Sequence, residues 1–293
     1  MSTKHFAGLD GLRGIAAFVV VFLHGTLFIK NTGYSPPAAC TAVDFFFMLS
    51  GFVVAHAYDE RLHQMMTWRQ FMAVRLIRLY PMLFFGTAMG GLLFVVSQYH
   101  DHQFDPSVSV LIMIGSFVLL PVGLAAGTVA YPLNIAAWSL FFEFAVNALY
   151  GSGAGRMTDR RLAGLVAVSG LALVPVAVWG GPYIEIGFGT LPAFLLGFVR
   201  VSYPFWAGVL LFRVFPPHVL PNMPVGVAGV VLALALLAPV DNPGYNLSLI
   251  LVLFPVLVVF GASARPGGRS AHACSVLGRF PIRSISSMSR FSC

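Results

Sequence analysis

Long apolar stretches follow one another along almost the whole chain, separated by short polar segments. A membrane-spanning helix needs about 20 consecutive, mostly apolar residues. By this measure the sequence predicts an all-α, polytopic transmembrane helical bundle. The predicted spans are ten segments, several of them short, at 11–29, 42–57, 80–97, 107–124, 134–150, 162–180, 188–200, 203–216, 225–239 and 246–262. Arg200 and Pro204 separate the seventh from the eighth, so these two are either separate spans or one broken helix, since proline is tolerated in spans.

The composition supports this interpretation. Of 293 residues, 58% are hydrophobic and only 9% are charged, with a mean hydropathy of +0.86. Ordinary soluble domains are about 25% charged, so a soluble globular domain and a disordered chain are both excluded. The net charge of +7 fits topogenic and headgroup-facing residues better than nucleic-acid binding, and we expect no nucleic-acid partner. Three cysteines without ligand spacing predict neither a disulfide framework nor a metal site.

Loop charges predict the orientation, because cytoplasmic loops are rich in Lys and Arg. Segment 59–79 carries four arginines and is expected inside, whereas loop 98–106 has no Lys or Arg and is expected outside. Lys4 and Arg13 then place the N-terminus in the cytoplasm. Ten spans, however, would put Arg156, Arg160 and Arg161 outside, against the rule. Either one segment between 80 and 150 is re-entrant or this loop is an exception.

Ionisable residues inside spans are costly and are functional candidates by default. The first span contains Asp10, Arg13 and His24. Arg13 and His24 are 11 residues apart, which places them on one stripe of a helix, about 16 Å apart along its axis. Asp10 is close enough to pair with Arg13. A neutral imidazole is a competent general base, while the alternative is a structural ion pair with a hydrogen-bonded bundle histidine.

Three further charged residues stand out. Arg75 and Arg78 share a helix face just before the third span, where they either anchor its cytoplasmic end or grip phosphates bidentately. Glu143 lies in the apolar stretch AAWSLFFEFAVNALY, so its carboxylate must be paired, hydrated or protonated. That position predicts either a packing role or a functional one. Arg200 and Arg213 are expected to anchor span ends.

The second span begins with VDFFFMLSGFVV. Asp44 is a candidate N-cap of this helix, since aspartate is favoured there. Ser50 and Gly51 form a small pair that allows another helix to approach closely.

Together these segments resemble the acyltransferase 3 family of integral membrane O-acyltransferases. The resemblance rests on LDGLRGIAAFVVVFLH, VDFFFMLSGFVV, FMAVRLIRLYP and PLNIAAWSLFFEF, with RVSYPFWAGVLLFR as a looser match. Each motif alone is moderately specific, and their order and spacing are strongly specific. The resemblance implies one membrane acyltransferase domain over residues 6–280, in a bacterial inner membrane.

The resemblance also implies a reaction and its residues. An acyl group, commonly acetyl, moves from cytoplasmic acetyl-CoA or another acyl-CoA to a hydroxyl of a cell-envelope carbohydrate or lipid-linked acceptor. The acyl-CoA is a donor substrate, and no permanently bound cofactor is expected; the surrounding partners are membrane lipids. By resemblance His24 and Glu143 are catalytic, and Arg13, Arg75 and Arg78 bind the donor. Supporting positions are Asp10, Asp44, Ser50, Asn134, Trp138 and Ser139.

The end of the chain departs from the family pattern. After Phe280 the family continues with a motif like SYPLYLLH and a further span, whereas this chain reads PIRSISSMSRFSC. Codons can be chosen for Pro281–Ser292 that encode YPLYLVHVPVL when read two bases later, so residues 281–293 are interpreted as a frameshifted polar tail. Sequencing the gene tests this. Two other functions stay open: a polytopic transporter or flippase of a glycan or lipid precursor, and an inactive truncated family member.

Overall fold

The computed structural model describes residues 6–28, 36–101, 104–181, 184–215 and 224–264, and every regular element among them is helical. The predicted tail at 281–293 lies outside these residues. The helices are α1 (Ala7–Phe28), α2 (Ala42–Gln64), α3 (Trp68–Asp101), α4 (Pro106–Phe117), α5 (Ala137–Gly151), α6 (Asp159–Trp179), α7 (Leu191–Val214), α8 (Val225–Leu237), α9 (Pro243–Ser248) and α10 (Phe254–Ser263). A 3-10 helix, Pro37–Thr41, precedes α2, and a π-helical turn, Leu249–Leu253, joins α9 to α10.

The all-α prediction is confirmed, but the count of ten spans is not. Among the described residues, six helical segments are long and apolar enough to cross a membrane: Ala7–Gly25, Pro37–Gln64, Trp68–Ser97, Asp159–Trp179, Leu191–Val214 and Pro243–Ser263. Two shorter apolar helices, α4 and α8, accompany them. The segments at 188–200 and 203–216 are one helix, α7, with Pro204 inside it.

The two arginines of α7 differ from each other. Arg200 was expected at a span end, but it lies in the interior of α7 and is only 2% exposed. That expectation is wrong because the apolar run continues through Pro204 instead of stopping there. Arg213 does lie in the last turn of α7, where it binds both carboxylate oxygens of Asp59 at 2.8 and 2.9 Å.

The helices form two compact units. The first combines Met1–Asp59, Met157–Ile184 and Ser202–Cys293, and the second combines Glu60–Arg156 and Glu185–Val201. In the first unit, α2 and α7 approach each other through glycines on both sides. A Cβ on Gly51 would overlap with the carbonyl oxygen of Phe205, and a Cβ on Gly208 with that of Met48. The close approach expected of the Ser50–Gly51 pair is therefore confirmed.

Replacing Gly51 with alanine should destabilise the protein. The added methyl group meets backbone, which cannot rotate away, so we expect a loss of about 1–3 kcal/mol, as for other overpacked sites. Gly164, in α6, is the matched control because nothing lies within 4 Å of its added Cβ. Gly164→Ala should be neutral or slightly stabilising, since alanine favours the helix. Thermal unfolding in detergent measures both; equal transition temperatures would contradict the packing described.

In the second unit, α4 and α5 together run alongside α3. Ring contacts of 6.1 Å between Phe94 and Phe104 and of 5.6 Å between Phe84 and Phe117 place α4 beside the distal half of α3. At the other end, the indole nitrogen of Trp68 donates to the carbonyl of Ala148 at 3.0 Å. Further along α3, Arg75 contacts Glu143, so α5 is antiparallel to α3.

Neither α4 nor α5 can cross a bilayer alone. Their 12 and 15 residues measure about 18 and 22 Å, against about 30 Å of hydrocarbon. Because neither is long enough alone, we interpret the two helices, with the connection at 118–136 that includes a positive φ of 59° at Leu119, as one broken span. A single crossing between 106 and 151 has the same effect on the topology as the re-entrant segment between 80 and 150 that the loop charges left open.

The ends of the helices agree with this arrangement. In the first unit Arg213 also donates to the carbonyl of Met157 at 2.7 Å, which brings the start of α6 to the same end as Asp59. In the second unit Arg156 donates to the carbonyl of Leu62 at 2.9 Å. Within the first unit the start of α6 therefore lies beside Asp59 and the end of α7, and within the second Arg156 lies beside Leu62. The conflict between Arg156 and the charge rule disappears once 106–151 counts as one crossing.

Cysteine labelling tests this topology. With Cys40, Cys274 and Cys293 changed to serine, Gln64→Cys and Ser152→Cys should react with a membrane-impermeant maleimide from the same side. If the arginine-rich end is cytoplasmic, both are protected in intact cells and react after permeabilisation. Tyr99→Cys, near the far end of α3, is the opposite-side control. Labelling of Gln64→Cys and Ser152→Cys from opposite sides would restore the ten-span prediction.

Candidate functional site

The first group of candidate residues lies on α1. Arg13 and His24 belong to one continuous helix, as their common stripe requires. The Nη1 atom of Arg13 lies 3.4 Å from Oδ1 of Asp10, so the predicted i, i+3 pair is confirmed. Both side chains are about four-fifths buried. The pair thus leaves a partly neutralised guanidinium about three turns before His24 along the helix.

The ring of His24 is oriented by its own helix. Its Nδ1 lies 2.8 Å from the carbonyl oxygen of Val20, one turn earlier. A carbonyl oxygen can only accept, so Nδ1 carries the proton, and in the neutral imidazole Nε2 then holds the lone pair. The side chain is exposed at the surface of the helix. His24 therefore presents the nitrogen that a general base or a nucleophile needs.

The second group joins α3 to α5. The Nη2 atom of Arg75 donates to Oε1 of Glu143 at 2.7 Å, a charge-assisted bond. Arg75 is 2% exposed, and the carboxylate side chain is four-fifths buried. One turn further along α5, the side-chain amide of Asn147 donates to the carbonyl of Glu143 at 2.7 Å. Glu143 thus has the partner that its apolar surroundings demand.

The two arginines before the third span have different environments. Arg75 is buried against Glu143, whereas Arg78 is exposed. The sequence left open whether the two arginines anchor the end of the span or grip phosphates. Arg78 is exposed, and Arg75 holds the carboxylate of Glu143.

The block around Trp138 opens α5. The guanidinium of Arg200 lies 5.1 Å from the centre of the Trp138 ring, a cation–π contact, and its Nη1 donates to the carbonyl of Ile186 at 3.3 Å. The hydroxyl of Ser139 bonds locally to Ala136 at 2.9 Å. The side chain of Asn134 packs against α3, since a Cβ on Gly86 would lie 2.5 Å from its Nδ2. These residues fix the start of α5 against its neighbours.

Arg200 was interpreted from the sequence only as an anchor of a span end. Its apolar neighbours on both sides nevertheless indicated an ionisable residue inside a span, which is a functional candidate by default. The proline four residues later suggested a span end. Pro204 lacks the N–H that would bond to the carbonyl of Arg200, and the helix nevertheless continues.

Asp44 and Ser50 lie on α2. Asp44 is not the N-cap: the helix begins at Ala42, directly after the 3-10 turn, so Asp44 falls in its first turn and is fully buried. The cap prediction is wrong because the 3-10 helix already supplies the preceding turn. Ser50 is half-buried beside Gly51.

The two groups belong to different units: Arg13 and His24 to the first, Arg75, Arg78 and Glu143 to the second. The predicted contact between His24 and Glu143, like the catalytic role of either residue, stays a prediction. No cluster of three metal-ligating side chains occurs in the part of the chain that the structure describes.

Comparison with known proteins identifies the family. The model of the acyltransferase 3 family, described as an acyltransferase domain, matches residues 6–289. "Protein 2 in picA locus" of Rhizobium radiobacter is 33% identical over 186 residues, covering 59% of this chain and 95% of that protein. No solved structure matches. Because the family model covers nearly the whole chain, this membrane protein belongs to the acyltransferase 3 family.

Proposed function

We propose that this protein transfers an acyl group, acetyl in the first instance, from acyl-CoA to a hydroxyl of a cell-envelope carbohydrate or a related lipid-linked acceptor. The observation that carries the proposal is the orientation of His24. Its Nδ1 is held by Val20, which leaves Nε2 available within a chain that belongs to an acyltransferase family. We place it in the bacterial inner membrane with a cytoplasmic N-terminus.

The chemistry needs little beyond positioning and one base. In a direct transfer, Nε2 of His24 accepts the proton of the acceptor hydroxyl while its oxygen attacks the thioester carbonyl. The C–S bond breaks, and the proton passes to the departing thiolate of CoA. In the alternative, Nε2 attacks the thioester carbonyl first, the C–S bond breaks and the CoA thiolate departs, leaving an acyl-histidine. The acceptor oxygen then takes the acyl group from Nε2, and the hydroxyl proton passes to the thiolate. Both routes need the same tautomer of His24.

We assign different roles in donor binding to Arg13, Arg75 and Arg78. CoA carries phosphates, which a guanidinium binds in a bidentate manner. Arg78 is exposed near the cytoplasmic end of α3 and is assigned to these phosphates. Arg75 and Arg13 already face carboxylates, and we assign them to positioning the site through Glu143 and Asp10.

A second function has one observation in its favour. The observation is the shortness of α4 and α5, which as one broken span would have helix ends within the bilayer, as in many transporters. A transporter or flippase would move a glycan or lipid precursor without consuming acyl-CoA.

One experiment separates these functions. Inverted membrane vesicles containing the full chain are given radiolabelled acetyl-CoA and an envelope glycan extract, and the release of CoA thiol and the labelling of glycan are followed. We expect glycan labelling above that of vesicles without the protein, in proportion to CoA release. Glycan movement without CoA release would instead establish transport. If neither CoA release nor glycan movement is seen, the interpretation that remains is an inactive family member.

A further inference from the structure

The second unit contains an apolar cavity between α3, the end of α4 and α5. Its volume is about 230 Å³, and its lining includes Leu76, Leu83, Val118, Leu140 and Phe144. Pockets for drug-sized ligands are larger, about 300–1,000 Å³, so this one suits a narrow, flexible group. With lining side chains that are almost entirely apolar, hydrocarbon is the fitting occupant.

The cavity opens at the surface of the spanning helices. Two of its lining residues, Leu76 of α3 and Val118 of the segment after α4, are 45% and 58% exposed and so mark its mouth. The break between α4 and α5 creates this opening, since Val118 and Leu119 belong to the connection that follows α4. A chain in the surrounding bilayer can therefore enter from the side.

A positive charge lies on the same stripe of α3. Arg69 precedes Leu76 by seven residues, and Leu83 follows by seven, so all three share one face within about 20° per step. Arg69 is exposed, about 10 Å along the helix from Leu76. The neighbouring Trp68, fixed by its bond to Ala148, is half-exposed as at a headgroup interface. The charge therefore lies about 10 Å along α3 from the cavity, beside a tryptophan of the kind found at headgroup interfaces.

We propose that one acyl chain of an anionic phospholipid occupies this cavity, with the lipid phosphate at Arg69. The site is independent of the proposed acyl transfer. Its lipid recognition combines hydrocarbon burial between α3 and α5 with one ion pair at the membrane surface, as at other basic headgroup sites.

Native mass spectrometry of the purified full-length protein tests the site with two probes, phosphatidylglycerol and phosphatidylcholine of the same chain length. We expect phosphatidylglycerol to be retained about fivefold better, the effect of one basic side chain at an anionic headgroup. Leu76→Trp fills the mouth and should remove retention of both lipids. Ile77→Trp, its neighbour and 71% exposed away from the cavity, should not. Arg69→Gln should remove the preference, whereas Arg160→Gln, also exposed, should keep it.

Val118→Trp, also at the mouth, guards against misfolding of the Leu76 variant, and each variant is checked by its thermal transition. Equal retention of the two lipids by the unmodified protein would overturn the ion pair. Equal retention by Leu76→Trp, Val118→Trp and Ile77→Trp would overturn the cavity as the site.

Discussion

Replacing His24 with alanine should lower acyl transfer by 10²–10⁴-fold, the usual contribution of a general base, or abolish it if the histidine itself carries the acyl group. The reason is the orientation of the ring, whose Nδ1 donates to Val20 and leaves Nε2 to accept a proton or an acyl group. The measurement is CoA thiol release in vesicles that contain equal amounts of each protein. Added imidazole should restore part of the activity of His24→Ala, because it replaces the missing base.

His63→Ala is the matched control. His63 is an exposed histidine in the last turn of α2, and we expect its removal to leave turnover within twofold of the unmodified protein. Acyl-CoA incubated without acceptor distinguishes the two routes: a label that stays on the protein and is released by hydroxylamine indicates acyl-histidine. Undiminished turnover by His24→Ala would remove His24 from the chemistry altogether.

Replacing Arg75 with methionine should destabilise the protein by about 3–5 kcal/mol. This is the usual cost of removing one partner of a buried ion pair, because the other charge stays behind without compensation. Here the charge left behind is Glu143, four-fifths buried between α3 and α5. The thermal transition in detergent, or urea sensitivity of the purified protein, measures the loss.

The double variant Arg75→Met with Glu143→Leu should recover most of this stability, since apolar replacements of a buried pair are often neutral or better. It should not recover acyl transfer if Glu143 belongs to the site. Arg78→Met is the stability control, because an exposed substitution on the same helix changes stability by no more than about 0.5 kcal/mol. A double variant as unstable as Arg75→Met would show that the pair does not act as a unit.

Local pairs could be predicted from the sequence, and distant ones could not. Asp10 and Arg13 are three residues apart on one helix, so helical periodicity alone brings them together, and the structure confirms their contact. Glu143 and Arg75 are 68 residues apart. The sequence showed that Glu143 needs a partner, but the identity of that partner depends on how α5 packs against α3.

The span boundaries predicted from the length of apolar segments are least accurate where a helix is irregular. The rule divided α7 at Arg200 because a buried guanidinium and a proline resemble a span end. It counted 107–124 and 134–150 as two crossings, although α4 and α5 are each too short to cross alone. The loop charges favour the smaller count, since Arg156 is misplaced only under the larger one.

The broken span has a consequence for biogenesis. A helix of 15 residues carrying Glu143 is a poor substrate for membrane insertion, because it is short and a charge costs about 2.5–3.5 kcal/mol on the insertion scale. The ribosome delivers α3 first, so Arg75 is already at the membrane when α5 emerges. The later segment can then enter by pairing with the earlier one. The ion pair therefore also sets the order of membrane insertion: α3 enters first, and α5 enters by pairing with it.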